Sequence, residues 1–232
     1  MPTIDASRIR AWCFDVDGTL SDTDNEYVAR IASMMPRIIP GDRRRLARLF
    51  VMSAEGPANA ALALADRLHL DDEVVAMLNW AYRVRPRTRS TRRLVPGVRE
   101  MLAALSLRYP LAVVSARDDR GTREFLDRFE LTEYFTAIVT ALTAEHTKPY
   151  ADPIDFAARA MGVAASECVM VGDTTIDIRA ASRAGSQSIG VLCGFGNERE
   201  LRHMGATEIL QTTTEIPRLL ARVRVRDDDA PA

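Results

Sequence analysis

The sequence predicts an α/β fold: a doubly wound parallel sheet with an all-helical segment inserted after the first strand. Three observations carry that expectation. From Pro96 onward, short apolar runs alternate with helical stretches, and strands alternating with helices build a parallel sheet covered on both faces. The first apolar run, Ala11-Trp12-Cys13-Phe14-Asp15-Val16, has no polar face until its acid, as a strand buried on both sides requires. Between about Ser21 and Arg93 no strand pattern shows, and apolar residues recur at steps of three and four.

The elements follow in order. After the first strand, helical stripes cover Asn25–Met35, Asp42–Met52, Pro57–Leu68 and Asp71–Val84, punctuated by Pro36, Pro40, Gly41, Gly56 and Pro57. Leu70-Asp71-Asp72 reads as a helix start with acids in its first turn. Beyond Pro96-Gly97, a helix near Val98–Leu107 leads into a strand at Leu111–Ser115. A helix near Asp119–Phe129 leads into Ala137–Thr140, and one near Pro153–Met161 leads into Cys168–Gly172. A helix near Thr175–Ala184 then leads into Gln187–Val191. A weak strand at Glu208–Leu210 and a helix near Glu215–Val225 close the pattern, and Asp227-Asp228-Asp229 reads as a frayed tail. The core is therefore expected to be a Rossmann-like sheet domain made of residues 1–20 and 94–232, with a helical cap of residues 21–93. An insert placed there would overhang the carboxyl ends of the strands, where an open sheet binds its ligand.

Bulk properties narrow the function. The chain has 232 residues, a net charge of −1 and 47% apolar residues, an ordinary globular balance with no sign of a basic nucleic-acid binder. No apolar run approaches the roughly 18 residues of a membrane span, and Met1–Arg10 lacks the apolar stretch of a signal peptide. Cys13, Cys168 and Cys193 are scattered, without disulfide or zinc spacing, and a reducing cytoplasm is the expected setting. Gly194-x-Gly196 lacks the third glycine of a dinucleotide site, and no Gly-Lys pair exists for a Walker loop. His69, His146 and His203 are too dispersed for a metal cluster. Of the 31 basic residues one alone, Lys148, is a lysine; that is either chance or a position where only a compact charge serves.

Four places carry chemistry. Asp15-Val16-Asp17-Gly18-Thr19 ends a buried strand in two acids, and on an extended strand residues two apart point to the same side. Buried acids need a partner, and a hard divalent cation supplies one. Gly172-Asp173-Thr174-Thr175-Ile176-Asp177 repeats the device at a second strand end. There Asp173 serves either as a helix cap or as a metal ligand, with Asp177 one turn on. Ser115, with the backbone N–H of Ala116 after it, can hold a phosphate oxygen at the end of a third strand. Lys148 would neutralise the charge these acids concentrate. The arginines at 83, 85, 87, 89, 92 and 93 read either as a basic lip for an anionic substrate or as a solvated hinge.

In order and spacing these four pieces resemble the haloacid dehalogenase-like (HAD) hydrolase superfamily over nearly the whole chain. The helical insert, and the segment from Gly190-Val191 to Gly194-Phe195-Gly196, are similar to its phosphoglycolate-phosphatase-like branch with a small helical cap. The resemblance implies that Asp15 is the nucleophile, forming an aspartyl phosphate, and that Asp17 is the general acid–base. It implies Mg²⁺ held by the side chain of Asp15, the backbone carbonyl of Asp17 and the side chain of Asp173, with Asp177 supporting the site from behind or through water. Ser115, Ala116 and Lys148 would bind the phosphoryl group. An acid at position 17 suits the poor leaving group of a phosphate ester better than a carbon–halogen bond. The implied activity is hydrolysis of a small phosphorylated metabolite. A phosphomutase of the β-phosphoglucomutase type and a non-catalytic regulatory relative are the alternatives. Where many relatives show Thr-Asn, this chain has Ser115-Ala116-Arg117, which weakens the inference to phosphoglycolate itself. Neither the substrate nor the oligomeric state is legible in the sequence.

Overall fold

Trp12 and Phe14 alternate with Ala11 and Cys13 along β1 (Ala11–Phe14), and all four are fully buried. A strand with no solvent face belongs in the middle of a sheet, and that is where β1 lies. The computed structural model describes residues 4–22 and 93–228. Within them a six-stranded sheet runs in the order β5 (Ala137–Val139), β4 (Leu111–Val114), β1, β6 (Cys168–Gly172), β7 (Gln187–Val191), β8 (Glu208–Leu210). Every neighbouring pair is parallel, with Phe14 in register with Val113 on one side and Val171 on the other. After β1 the chain builds outward through β4 and β5, then crosses back to add β6, β7 and β8 on the opposite side. The carboxyl ends of β4, β1 and β6 therefore border the point where strand order reverses, the natural ligand crevice of an open α/β sheet.

Side-chain size differs between the two faces. Trp12, Phe14, Val113, Val169, Val171 and Ile189 fill one face with the apolar sides of α1 (Val98–Ser106), α2 (Asp119–Arg128) and α6 (Ile216–Asp228). Cys13, Ala112, Val114 and Met170 fill the other, against alanine-rich faces of α3 (Asp152–Met161) and α4 (Thr175–Ala184). Cys13 and Cys168 are both buried on this side, where a small residue lets the helices approach. Helix α1 shows why periodicity locates such elements. Its buried residues, Val98, Met101, Leu102 and Leu105, lie at steps of three, one and three on a single face. Asp118 caps α2, its carboxylate accepting the Gly121 N–H at 2.9 Å.

The structure corrects the element boundaries where local chemistry overrides pattern. β1 stops at Phe14, short of the expected Val16, because the chain coils: the N–H groups of Leu20 and Ser21 both donate to the Val16 carbonyl, at 3.0 and 2.8 Å. The expected absence of strand between Ser21 and Arg93 also fails at its edges. β2 (Ser21–Asp22) and β3 (Arg93–Leu94) form an antiparallel ribbon, and strands of two residues carry no periodicity to detect. Helix α5 (Glu198–His203) escapes the sequence reading because it is little more than one turn, with Leu201 its sole buried residue. Helix α6 starts after a 3₁₀ turn at Thr213–Glu215 and continues through Asp228, so Asp227 and Asp228 of the expected frayed tail are helical. The four helical stripes of the insert, the arginine run from Arg83 to Arg92, and His69 lie outside the described residues.

Leu102 sits fully buried at the centre of the α1 contact. Replacing it with Ala removes apolar contacts and leaves a cavity, so Leu102→Ala is expected to lower stability by about 2–5 kcal/mol. Urea denaturation should show a lower midpoint with an unchanged slope.

Candidate active site

The acids of the first loop part company as soon as β1 ends. The Asp15 N–H still donates to the Val171 carbonyl at 2.9 Å, so this residue continues the sheet ladder and its position is set by β6. Its side chain is buried and meets Lys148 Nζ at 2.6 Å. Asp17 lies past the strand, in the coiled segment, and its carboxylate faces another cation. Both of its oxygens are engaged by Arg117, through Nε at Oδ2 and through Nη2 at Oδ1, the latter at 2.6 Å. The alternation argument applied to Asp15 and Asp17 therefore gives way to the turn, and the two carboxylates pair with different cations.

At the end of β6, Asp173 and Asp177 are 99% buried. Asp173 is not the cap of α4. The cap is Thr174, whose N–H and hydroxyl both donate to Asp177 Oδ2, at 3.1 and 2.7 Å. Asp173 instead accepts the backbone N–H of Phe195 at 2.8 Å. Three glycines enclose it. A Cβ at Gly18, Gly194 or Gly196 would overlap the carboxylate or backbone of Asp173, and Gly18 also has a φ of +76°, which side-chain-bearing residues avoid. Gly194 and Gly196 thus do what their spacing excluded for a dinucleotide: they let the loop after β7 close over an acid.

Lys148 ties the two strand ends together. Its ammonium lies 2.6 Å from Asp15 Oδ1 and 2.6 Å from Asp177 Oδ1, and its side chain is 3% exposed. Burial would lower the affinity of this ammonium for its proton, but the two carboxylates outweigh it and raise it above the ordinary lysine value. Burial pushes Asp15 the other way for an acid, up to about 7; Lys148 opposes the rise, while the negative charges of Asp177 and Asp17 add to it. Two of the three buried carboxylates contact the one ammonium, and burial together with the neighbouring negative charges favours a proton on Asp15.

Asp15, Asp173 and Asp177 each offer a carboxylate oxygen, and these oxygens lie within 4.8 Å of one another. An all-oxygen, buried, net-negative donor set suits a hard divalent cation and not a soft one. The residues present thus fit a metal of the Mg²⁺ type. Among them Asp177 is the most committed, with one oxygen on Lys148 and the other on Thr174.

Ser115 follows β4 at the same edge and is buried; its Oγ accepts the Arg117 N–H at 3.3 Å, and its own N–H extends the ladder to Val139. Ala116 is half-buried beside it. The sequence-predicted residues at positions 15, 148, 173 and 177 are thus joined by direct contacts or mutual approach, Ser115 and Ala116 end the neighbouring strand, and Asp17 is turned toward Arg117. His146 stays at the surface, 47% exposed, with Asp152 at 3.0 Å. Sequence reasoning missed the partnership of Arg117 with Asp17 and the N–H of Phe195. The first had a signal: an acid in the loop needs a counter-charge, and an arginine stands two residues after Ser115.

Comparison with known proteins places this geometry. The model of the haloacid dehalogenase-like hydrolases matches residues 13–191. A probable phosphatase, IndB, from Dickeya dadantii is 30% identical over 88% of this chain and 90% of its own length. A phosphoglycolate phosphatase of Neisseria meningitidis is 28% identical over 86% of this chain and 87% of its own. Among solved structures, a predicted phosphoglycolate phosphatase from Haemophilus somnus superposes with a TM-score of 0.62 at 20% identity, covering 91% of this chain and 98% of its own. At that identity the likeness speaks to the fold alone.

A carboxyl held near 7 in the folded state and near 4 when unfolded keeps a proton that the unfolded chain gives up in between. On Asp15's account, stability therefore falls as pH rises from about 4 to about 7. Without divalent metal, the urea midpoint of the wild type minus that of Asp15→Asn is expected to fall across this window. A difference that stays flat or rises would contradict the raised proton affinity of Asp15.

Proposed function

This chain belongs to the haloacid dehalogenase-like hydrolase family, and within it we propose a Mg²⁺-dependent phosphatase of small phosphorylated metabolites that works through an aspartyl phosphate. The observation that carries this reading is the buried contact of Lys148 with Asp15 and Asp177, at the carboxyl ends of β1 and β6. A cation against Asp15 at the sheet's ligand crevice supports the nucleophile role for that residue. The named phosphatases among its relatives support the same class.

Each residue then has a task. Asp15 attacks phosphorus through a carboxylate oxygen; the bond from phosphorus to the leaving oxygen breaks, and Asp17 gives that oxygen a proton. Water next gives a proton to Asp17 and attacks the same phosphorus, which frees Asp15 and phosphate and restores the acid. Ser115, the N–H of Ala116 and Lys148 hold the phosphoryl oxygens, and Asp177 fixes the direction of Lys148. Asp15, Asp173 and the carbonyl of Asp17 would hold Mg²⁺, with Asp177 behind them. When bound, the ion supplies positive charge to the phosphoryl oxygens, which this chemistry needs more than reactive groups. Residues 21–93 are the cap that selects the substrate and excludes water, and residues 1–20 with 94–232 are the catalytic core. A cytoplasmic setting completes the reading; among the described residues no helix is long and apolar enough to cross a membrane.

Phosphate release from a panel of small phosphorylated metabolites is expected in Mg²⁺ and absent in chelator. Asp15→Asn should lower it on the order of 10³-fold or more. Isomerised sugar phosphate in place of inorganic phosphate would assign a mutase. Metal binding without turnover of any compound would assign a non-catalytic relative.

A further inference from the structure

We propose that Arg117 is a positioning residue for the acid–base step, acting through Asp17. The inference rests on the phosphatase reading and extends it to a residue outside the phosphate- and metal-binding set. Arg117 Nε and Nη2 each meet one oxygen of Asp17, a fork matched to a carboxylate by two parallel bonds. The side chain of Arg117 is 12% exposed and that of Asp17 is 38% exposed, so the arginine braces the acid from the protein side while the acid keeps an open face. The backbone around Arg117 is itself held: its N–H donates to Ser115 Oγ at 3.3 Å and its carbonyl accepts the Ala141 N–H at 2.8 Å. The same loop that presents Ser115 therefore sets where the guanidinium stands.

Nothing else among the described residues accounts for this arginine. Its third terminal nitrogen, Nη1, is buried with no hydrogen-bond partner among them, and Asp17 is its one ion-pair partner there. The chemistry explains the arrangement. When Asp17 gives its proton to the leaving oxygen it becomes a carboxylate, and the fork receives that charge as it forms. The fork holds Asp17 before the reaction as well, so what Arg117 supplies is placement of the oxygens through which the leaving oxygen is protonated. It also fixes the carboxylate plane, so that the same oxygens take a proton from water in the second half of the cycle. Lysine at this position would keep the charge and lose the fork.

The test compares leaving groups. Values of kcat/KM report on phosphoryl transfer to Asp15, and a nitrophenolate leaves without being protonated whereas an alkoxide does not. Wild type, Arg117→Lys and Arg117→Met are assayed in Mg²⁺ with p-nitrophenyl phosphate and with two alkyl esters, 2-phosphoglycolate and glycerol 3-phosphate. Arg117→Met is expected to lower kcat/KM for the alkyl esters on the order of 10²-fold, the usual share of a general acid, and that for p-nitrophenyl phosphate by no more than about threefold. Arg117→Lys should fall between, and in an Asp17→Asn background Arg117→Met should add no further loss. Equal losses on both ester types, no loss on either, or a further loss without Asp17 would each overturn the proposal. Should Arg117→Met fail to fold, Arg117→Lys alone carries the same comparison. Wild type that releases phosphate from none of the three esters would remove the phosphatase reading, and this inference with it.

Discussion

Lys148 lies buried between two carboxylates, one at a strand end and one in the first turn of a helix, and the placement of the remaining site follows from that contact. Its ammonium is 2.6 Å from Asp15 at the end of β1 and 2.6 Å from Asp177 in the first turn of α4. A charge taken out of water is tolerated only with paired, well-aligned partners, and removing one member of such a group costs several kcal/mol. The contact therefore constrains the loop after β5, the end of β1 and the start of α4 together. Asp177 is held in turn by Thr174, so the start of the helix and the position of the ammonium are settled by one side chain.

The charge balance is deliberately incomplete. One ammonium contacts two of the three buried carboxylates, and Asp15 has its carboxyl pushed up to about 7 by burial and by its acidic neighbours. Such a group is poorly served by protein cations alone and well served by a divalent ion, which satisfies the hard oxygens and favours the anionic form. A second cation, Arg117, holds both oxygens of Asp17. Two acids two residues apart are thereby given separate electrostatic surroundings, the usual route by which chemically identical groups acquire different tasks.

Rigidity comes from the sheet. Asp15 and Ser115 still donate their N–H groups to neighbouring strands, so both are fixed by ladder hydrogen bonds one residue beyond the strands proper. Asp173 is enclosed by Gly18, Gly194 and Gly196, and the approach of three backbones leaves its carboxylate little freedom. The geometry of phosphoryl transfer demands placement above all, and strand ends supply it better than free loops.

Much of this was legible in the sequence because it follows local rules. The alternation of buried strands and amphipathic helices, the ends of β6, α4 and β7, and the acids at residues 15, 17, 173 and 177 are all statements about neighbouring residues and their periods. The standing of Lys148 as the sole lysine was legible too, as a question. Elements too short for a period were not: the β2–β3 ribbon and α5 hold their places by contacts. Nor could the sequence say which acid meets which cation. Asp17 faces Arg117, which is 100 residues away along the chain, and Asp15 faces Lys148, 133 away. The coil after Phe14, which sends the two acids to different partners, is settled by backbone hydrogen bonds to Val16. Composition and period determined that acids would gather at the carboxyl edge of a parallel sheet. Tertiary structure alone decided how their charges pair, because pairing depends on distances across strands that no local pattern encodes.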